Sequence, residues 1–145
     1  DFKDEEKDIN KMIYVDKWIL SKYNNLVKEV TTNLDNFDLG VATQKVYDFI
    51  RNEFCDWYIE MVKPRLYNME DKTRKDAQYV LNYVLSGTLK LLHPVMPFVT
   101  EEIYTKLYNN DESIMISNWP KYEEKLNFKL EEEQLEKNKR NYNRS

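Results

Sequence analysis

The sequence has few of the residues that non-helical folds and most catalytic sites require. Its 145 residues include two glycines, four prolines, one cysteine and one histidine. Sheet-rich domains need many glycine turns, and a loop that cradles phosphates needs several glycines, so both are disfavoured. The single cysteine, Cys55, excludes an internal disulfide and fits a reducing compartment.

The side chains needed for metal binding or acid–base catalysis are also scarce. His93 has no second histidine to complete a metal site, and Cys55 has no histidine near it in the sequence. Adjacent acids such as Glu101 and Glu102 are typical of solvated faces or of helix N-termini. We therefore expect no catalytic residue, no metal and no cofactor within this chain.

The charge balance limits the partners of the chain. The net charge is −4, so the strongly basic surface of a free-standing nucleic-acid-binding protein is missing. An RNA partner would have to be bound by a local basic patch. No apolar run reaches the ~18 residues of a membrane span, and the acidic residues 1–15 do not resemble a signal peptide. We expect a cytoplasmic protein that binds neither a membrane nor DNA.

Apolar residues recur at steps of three and four, the period of a helix, along most of the chain. We predict three long helices and one short helix, because a residue suited to a helix N-terminus precedes each apolar stripe; these residues are Asp16, Asp38, Thr73 (in a capping box with Asp76) and Pro97. Helices that each carry one wide apolar stripe bury it best side by side. The predicted fold class is all-α, an antiparallel helical bundle.

Other segments set the boundaries of this bundle. Pro64 should end or kink the second helix, and His93-Pro94 should end the third. Residues 113–120 have the character of a short extended segment, and the later residues have few apolar side chains. The expected organisation is an acidic lead-in segment over 1–15, a bundle over 16–120, and a solvated linker over 121–145 toward a missing C-terminal arm.

The second predicted helix carries a second apolar face. Cys55 and Ile59 each lie about 160° around the helix from Trp57, which belongs to the main stripe. They form a small patch bordered by Asp56 and Lys63. A helix that is apolar on two faces is either buried deep in a bundle or has a partner on the second face. The patch is therefore either buried between neighbouring helices or a surface for a flipped base or an absent helix.

Two small clusters of cations are candidate phosphate contacts. Lys72, Arg74 and Lys75 lie at the predicted N-terminus of the third helix, where cations oppose the helix dipole but free N–H groups favour an anion. Lys63 and Arg65 form the second cluster. Either cluster binds phosphate or is the incidental charge of a solvated loop.

Several longer motifs resemble the valyl-tRNA synthetase family of class I aminoacyl-tRNA synthetases. They are EFCDWYIE over 53–60 with KPRLY over 63–67, LLHPVMPFVTEEIY over 91–104, SIMISNWP over 113–120 and DKWIL over 16–20. The HP-x-x-PF-x-TEE element is shared by several class I synthetases for branched aliphatic amino acids, whereas FCDWY points to valine. The resemblance covers roughly residues 16–120.

This resemblance implies an all-helical domain that follows a catalytic domain in the same chain and grips the anticodon stem-loop of tRNA(Val). The full-length enzyme would be a valine–tRNA ligase that uses ATP with magnesium. Neither class I signature, the HIGH type nor the KMSKS type, occurs here. The chain by itself would therefore bind tRNA without being catalytic.

The tRNA-binding interpretation assigns roles to eight residues. We expect a base pocket formed by Cys55, Asp56 and Ile59. We expect phosphate contacts from five cations, namely Lys63, Arg65, Lys72, Arg74 and Lys75. Two alternatives stay open. One is the corresponding domain of an isoleucine- or leucine-type synthetase, and the other is a helical protein-interaction module with no RNA role.

Overall fold

All regular secondary structure in the described part of the computed structural model is helical. The structure describes residues 8–108, 114 and 118–144, and no strand occurs among them. The helices are α1 Tyr14–Asp35, α2 Leu39–Asp48, α3 Glu60–Tyr67, α4 Arg74–Leu92, α5 Pro97–Tyr108 and α6 Lys129–Arg144. A π-helical segment, Phe49–Ile59, joins α2 to α3, and short 3₁₀ turns lie at Ile9–Lys11 and Glu124–Leu126. The all-α prediction is confirmed.

Helix α1 lies at the centre of the bundle. It contacts α2, the π-helical segment, α4 and α6. Trp18, Ile19 and Leu20 are all fully buried. Consecutive residues of a helix point in directions about 100° apart, so burial at three in a row requires neighbours on most of its circumference.

Helix α2, the π-helical segment and α3 form one continuous helical rod that packs against α1. Phe49, Phe54 and Tyr58 are buried along the rod, with ring centroids 6.3 and 6.1 Å apart in succession. Wider π-helical turns bring residues four and five apart onto one face, which suits this spacing. Pro64 lies inside α3, which ends at Tyr67.

The helix N-termini differ in detail from the predictions. Helix α1 begins at Tyr14, so Asp16 lies in its first turn and is not the N-cap. Asp38 and Thr73 do occupy N-cap positions, but neither side chain makes a capping hydrogen bond. The Thr73 hydroxyl instead donates to Asp71, at 2.6 Å. The capping-box prediction is therefore wrong, because the hydroxyl oxygen of Thr73 accepts from Arg65 and the backbone N–H of Thr73 donates to Asp71.

The turn between α4 and α5 agrees with the sequence. Helix α4 ends at Leu92 with His93 as its C-cap, and α5 begins at Pro97. The Nδ1 atom of His93 lies 2.9 Å from the Oγ1 atom of Thr100. His93 therefore joins the two helices at their shared turn.

The C-terminal segment differs from the solvated linker that we expected. Helix α6 packs against α1, and Leu135 and Lys139 are buried with 3% and 8% exposure. The connection before α6 is also attached, since Asn24 exchanges two hydrogen bonds of 2.8 Å with the backbone of Glu123. Residues 129–144 are thus part of the bundle.

The predicted extended segment is described only in part. Ile114 is buried, and Trp119 donates a hydrogen bond from Nε1 to the Thr31 hydroxyl of α1, at 3.0 Å. The remainder of 113–117, and residues 1–7 of the acidic lead-in, lie outside the described residues. None of the helices in the described ranges has the length and apolar character needed to cross a membrane.

Candidate nucleic-acid interface

The predicted base-pocket residues line two different grooves. Cys55 and Ile59 face a groove of ≈700 Å³ between the helical rod and α4, whose walls are mostly aliphatic; among the lining residues are Ile50, Leu66, Leu81, Leu85, Leu89 and Leu92. Cys55 is exposed and Ile59 half-buried. We call this the aliphatic groove. The second apolar face thus lies against α4 without being closed by it.

Asp56 lies on the other side of the rod. It lines a groove of ≈620 Å³ between the rod, the first turn of α1 and α6. Three aromatic rings, those of Tyr14, Trp57 and Tyr142, line this groove as well. We call it the aromatic groove. The structure therefore does not bring Asp56 together with Cys55 and Ile59, because neighbouring residues of a helix point in different directions.

The environment of Cys55 does not favour a reactive thiolate. Partial desolvation and the nearby charge of Asp56 both raise the pKa of the Cys55 thiol. A thiol acts as a nucleophile mainly in its deprotonated form, which a raised pKa makes scarce at neutral pH. Cys55 is therefore a small apolar lining residue of the aliphatic groove.

The predicted cations gather where α3 ends and α4 begins. Lys72 and Lys75 are exposed on the loop and in the first turn of α4. Arg74 is half-buried, and its Nε donates to the carbonyl oxygen of Leu66 at 2.9 Å. Lys63 forms an ion pair of 2.6 Å with Glu60. Lys72 and Lys75 thus have the ammonium groups best placed for a phosphate.

Arg65 has a different environment from the one expected. Its guanidinium donates to both carboxylate oxygens of Asp16, at 2.7 and 2.8 Å, and to the hydroxyl and carbonyl oxygens of Thr73, at 2.8 and 2.9 Å. The side chain is only 10% exposed. Arg65 therefore anchors the loop before α4 to α1, which leaves it poorly placed to contact a phosphate.

Hydrogen bonds to Asp71 also stabilise the loop that carries Lys72. The Asp71 carboxylate accepts hydrogen bonds from the hydroxyl and the backbone N–H of Thr73, at 2.6 and 2.7 Å. These two hydrogen bonds lower the pKa of the Asp71 carboxyl. Lys72 thus lies in a short loop between Asp71 and Thr73, and hydrogen bonds hold both of these residues in place.

The sequence analysis missed Lys139, because residues 121–145 were interpreted as a linker. Its ammonium group lies 2.5 Å from Glu53, 4.5 Å from the ring centre of Trp18 and 5.0 Å from that of Trp57. One signal could have revealed the helix that carries it. Acids are grouped over 131–136 and bases over 137–144, which complements a helix dipole.

The described part of the chain has no cluster of side chains suited to bind a metal ion. No cluster of three or more histidine, cysteine, aspartate or glutamate side chains there could hold an ion.

A family model described as the anticodon-binding domain of tRNA ligase matches residues 16–144 of this chain. The chain belongs to that family of helical domains. The match extends through α6, in agreement with the packing of that helix on α1.

Three similar curated proteins are valine–tRNA ligases. The chain is 55% identical over 123 residues to the valine–tRNA ligase of Clostridium acetobutylicum, which covers 85% of this chain. It is 54% identical over 124 residues to that of Clostridium perfringens and 45% identical over 124 residues to that of Fervidobacterium nodosum, each covering 86% of this chain. The aligned region is 14% of the length of each relative. The resemblance noted in the sequence is confirmed.

Proposed function

We propose that this chain is the anticodon-binding domain of a valine–tRNA ligase and that it binds the anticodon stem-loop of tRNA(Val). The observation that carries this proposal is the family match over residues 16–144 together with valine-specific relatives at 44–55% identity. Because these relatives are valine–tRNA ligases, they favour valine over the isoleucine- or leucine-type alternative.

The binding contacts follow from the exposed groups. Single-stranded loops are bound through phosphate contacts and through bases that stack on side chains. The cations at the N-terminus of α4, Lys72, Arg74 and Lys75, supply phosphate contacts at the positive end of the helix dipole. Cys55, Asp56, Ile59 and Lys63 remain candidate base or backbone contacts, and Arg65 positions the loop.

The full-length protein would carry out the reaction. We propose that it ligates valine to tRNA with ATP and magnesium in a catalytic domain of the same chain, in the cytoplasm. Charging assays on the full-length protein with valine, isoleucine and leucine distinguish the three specificities. Charging with valine is expected, and preferential charging with isoleucine or leucine would contradict the proposal.

The anticodon proposal is tested by titrating the chain with a valine-anticodon stem-loop at two salt concentrations. The double variant Lys72→Glu/Lys75→Glu should bind more weakly and show a smaller salt slope, by about 0.7 to 0.9 for each phosphate that is no longer neutralised. The same substitutions place anions at the N-terminus of α4, which should stabilise that helix by about 0.3–1 kcal/mol each. A loss of affinity could then not be attributed to unfolding.

The matched control is Lys129→Glu/Lys137→Glu, because it changes the net charge equally at two exposed lysines of α6, one of them also in a first turn. The control should retain the affinity of the parent chain. Equal losses in both variants would show a general charge effect and would remove the site from the α4 N-terminus. Binding by the parent chain that does not respond to salt would overturn the phosphate contacts.

A second candidate function is favoured by one observation. The aliphatic groove is open, and an amphipathic helix of a protein partner could lie in it. Such a contact would be insensitive to salt, because it rests on apolar burial. The salt dependence of the stem-loop titration therefore separates the two functions.

A further inference from the structure

The aromatic groove has features that the aliphatic groove does not share. Its rings come from three elements, with Tyr14 in α1, Trp57 in the π-helical segment and Tyr142 in α6. Tyr14 is 44% exposed and Tyr142 is 73% exposed. The ring of Tyr142 meets that of Trp57 edge to face, with centroids 5.9 Å apart. Trp57 is half-buried and packs against the core, whereas the two exposed tyrosine rings converge on the same groove and offer stacking surfaces.

We propose that the aromatic groove binds one unstacked base of single-stranded RNA and prefers bases that carry an exocyclic amino group. This inference rests on the proposed RNA-binding function and specifies where a base lies. It assigns Tyr14, Trp57 and Tyr142 to stacking and Asp56 to the edge of the base.

The stacking part of the proposal follows from the shape and lining of the groove. Its volume of ≈620 Å³ lies within the range of about 300–1,000 Å³ typical of small-molecule sites. Aromatic side chains are the usual platforms for splayed bases of single-stranded RNA. The aliphatic groove, in contrast, is lined mainly by leucine and isoleucine, and its one aromatic lining residue, Phe54, is buried.

The preference for amino groups follows from the carboxylates on the rim. Asp56 is exposed, and its carboxylate has no hydrogen bond or ion pair within the described ranges 8–108, 114 and 118–144. Glu60 also lines the groove, with its Oε1 held by Lys63 at 2.6 Å. Ionised carboxylates accept hydrogen bonds and cannot donate them. They complement the amino groups of adenine, cytosine and guanine, whereas uracil presents two carbonyl oxygens on either side of its single N–H.

The charge around the groove is compatible with an RNA backbone. Lys139 lies over the Trp57 ring and forms an ion pair with Glu53. The charge of the Glu53 carboxylate is therefore balanced. Arg140 and Arg144 are exposed on the same last turns of α6 that carry Tyr142. These cations can neutralise phosphates that flank a bound base.

The test is a nuclear magnetic resonance titration of the 145-residue chain with a trimer of adenylate and with a trimer of uridylate. Ring resonances of Tyr14, Trp57 and Tyr142 should shift with the adenylate trimer at concentrations about tenfold lower than with the uridylate trimer. Tyr142→Ala should weaken binding of both trimers by about 5- to 150-fold, because a stacking surface is removed. Phe98→Ala is the matched control, since this ring is 89% exposed on α5, and it should leave the binding of both trimers unchanged.

The variant Asp56→Asn tests the edge contact without removing a ring. A carboxamide of nearly the same shape can both donate and accept, so the ratio of adenylate to uridylate affinity should fall toward one. An unchanged ratio would overturn the amino-group preference. Shifts confined to the aliphatic groove, or shifts that depend on protein concentration alone, would overturn the base site in favour of a protein-contact surface.

The outcomes also separate this inference from the proposed function. Salt-dependent stem-loop binding that is abolished in Lys72→Glu/Lys75→Glu but unchanged in Tyr142→Ala would refute the base site and retain anticodon binding. Trimer-induced shifts of the groove rings with no stem-loop binding would support the base site and refute anticodon binding by this chain.

Discussion

Gly87 shows how a single residue fixes the spacing between two helices. It lies inside α4, where a glycine is less favourable than an alanine by about 1 kcal/mol. A Cβ atom at this position would overlap the phenol of Tyr23 in α1. Tyr23 is only 3% exposed and packs against Tyr83 with ring centroids 5.4 Å apart, so its ring has no room to move away. Gly87 thus permits the close approach of α1 and α4.

We predict that Gly87→Ala destabilises the chain by about 1–3 kcal/mol, although helix propensity alone would stabilise it. Overpacking against Tyr23 outweighs the gain in propensity. Urea unfolding measures the change in the free energy of unfolding. In a Tyr23→Leu background the same substitution should cost clearly less, because the overlapping ring is absent. A stabilising effect of Gly87→Ala in the parent chain would contradict this account of the contact.

At the scale of elements, α6 depends on one buried lysine for part of its attachment. Lys139 is 8% exposed, pairs with Glu53 of the π-helical segment and lies over the rings of Trp18 and Trp57. A desolvated cation beside two indole rings gains more than an exposed one. Lys139 therefore links α6 to both the central helix and the rod, while Leu135 supplies apolar packing.

We predict that Lys139→Met lowers the free energy of unfolding by about 1–3 kcal/mol. Methionine keeps the apolar stem of the side chain, so the loss reports on the ion pair and the cation–π contacts. Lys137→Met on the exposed face of the same helix should change stability by no more than about 0.5 kcal/mol. Similar small effects of both substitutions in thermal or urea unfolding would show that Lys139 does not anchor α6.

At the scale of the whole molecule, a buried polar network joins three parts of the bundle. The Asp16 carboxylate of α1 is fully buried and accepts hydrogen bonds from Tyr58 of the π-helical segment, at 2.7 Å, and from Arg65 of α3. Arg65 continues to Thr73 at the start of α4. Burial and the adjacent Asp16 charge raise the pKa of the Tyr58 hydroxyl, so it remains a donor. The network holds the loop of Lys72 in a fixed place relative to α1.

We predict that Arg65→Met destabilises the chain by about 3–5 kcal/mol, because the Asp16 carboxylate would remain buried without its cation. The double variant Asp16→Asn/Arg65→Met should cost less than the sum of the two single variants, since it removes the unpaired charge. Urea unfolding gives all three values. If Arg65→Met instead left the stability unchanged and reduced the affinity for the stem-loop, Arg65 would be a phosphate contact and not a structural anchor.

Several features were predictable because they depend on neighbours in the chain. The periodic apolar residues predicted the helical stretches from α1 to α5 but not α6, and Pro97 and His93 marked the start of α5 and the end of α4. The same local reasoning assigned caps to Asp16 and Thr73, but Asp16 lies in the first turn of α1, and Thr73 occupies the N-cap position of α4 without a capping hydrogen bond. The Asp16 carboxylate and the Thr73 hydroxyl oxygen both accept hydrogen bonds from Arg65, and no local sequence pattern reveals these contacts.

The sequence alone determined the helical class and, through the motifs at 53–67 and 91–104, the family. Helical period and motif order are properties of the chain itself. Only the tertiary structure decided that α6 belongs to the bundle, that Arg65 is buried against Asp16, and that Cys55 and Asp56 face different grooves. These outcomes depend on which helices become neighbours, and that choice is made by packing between distant segments rather than by any segment alone.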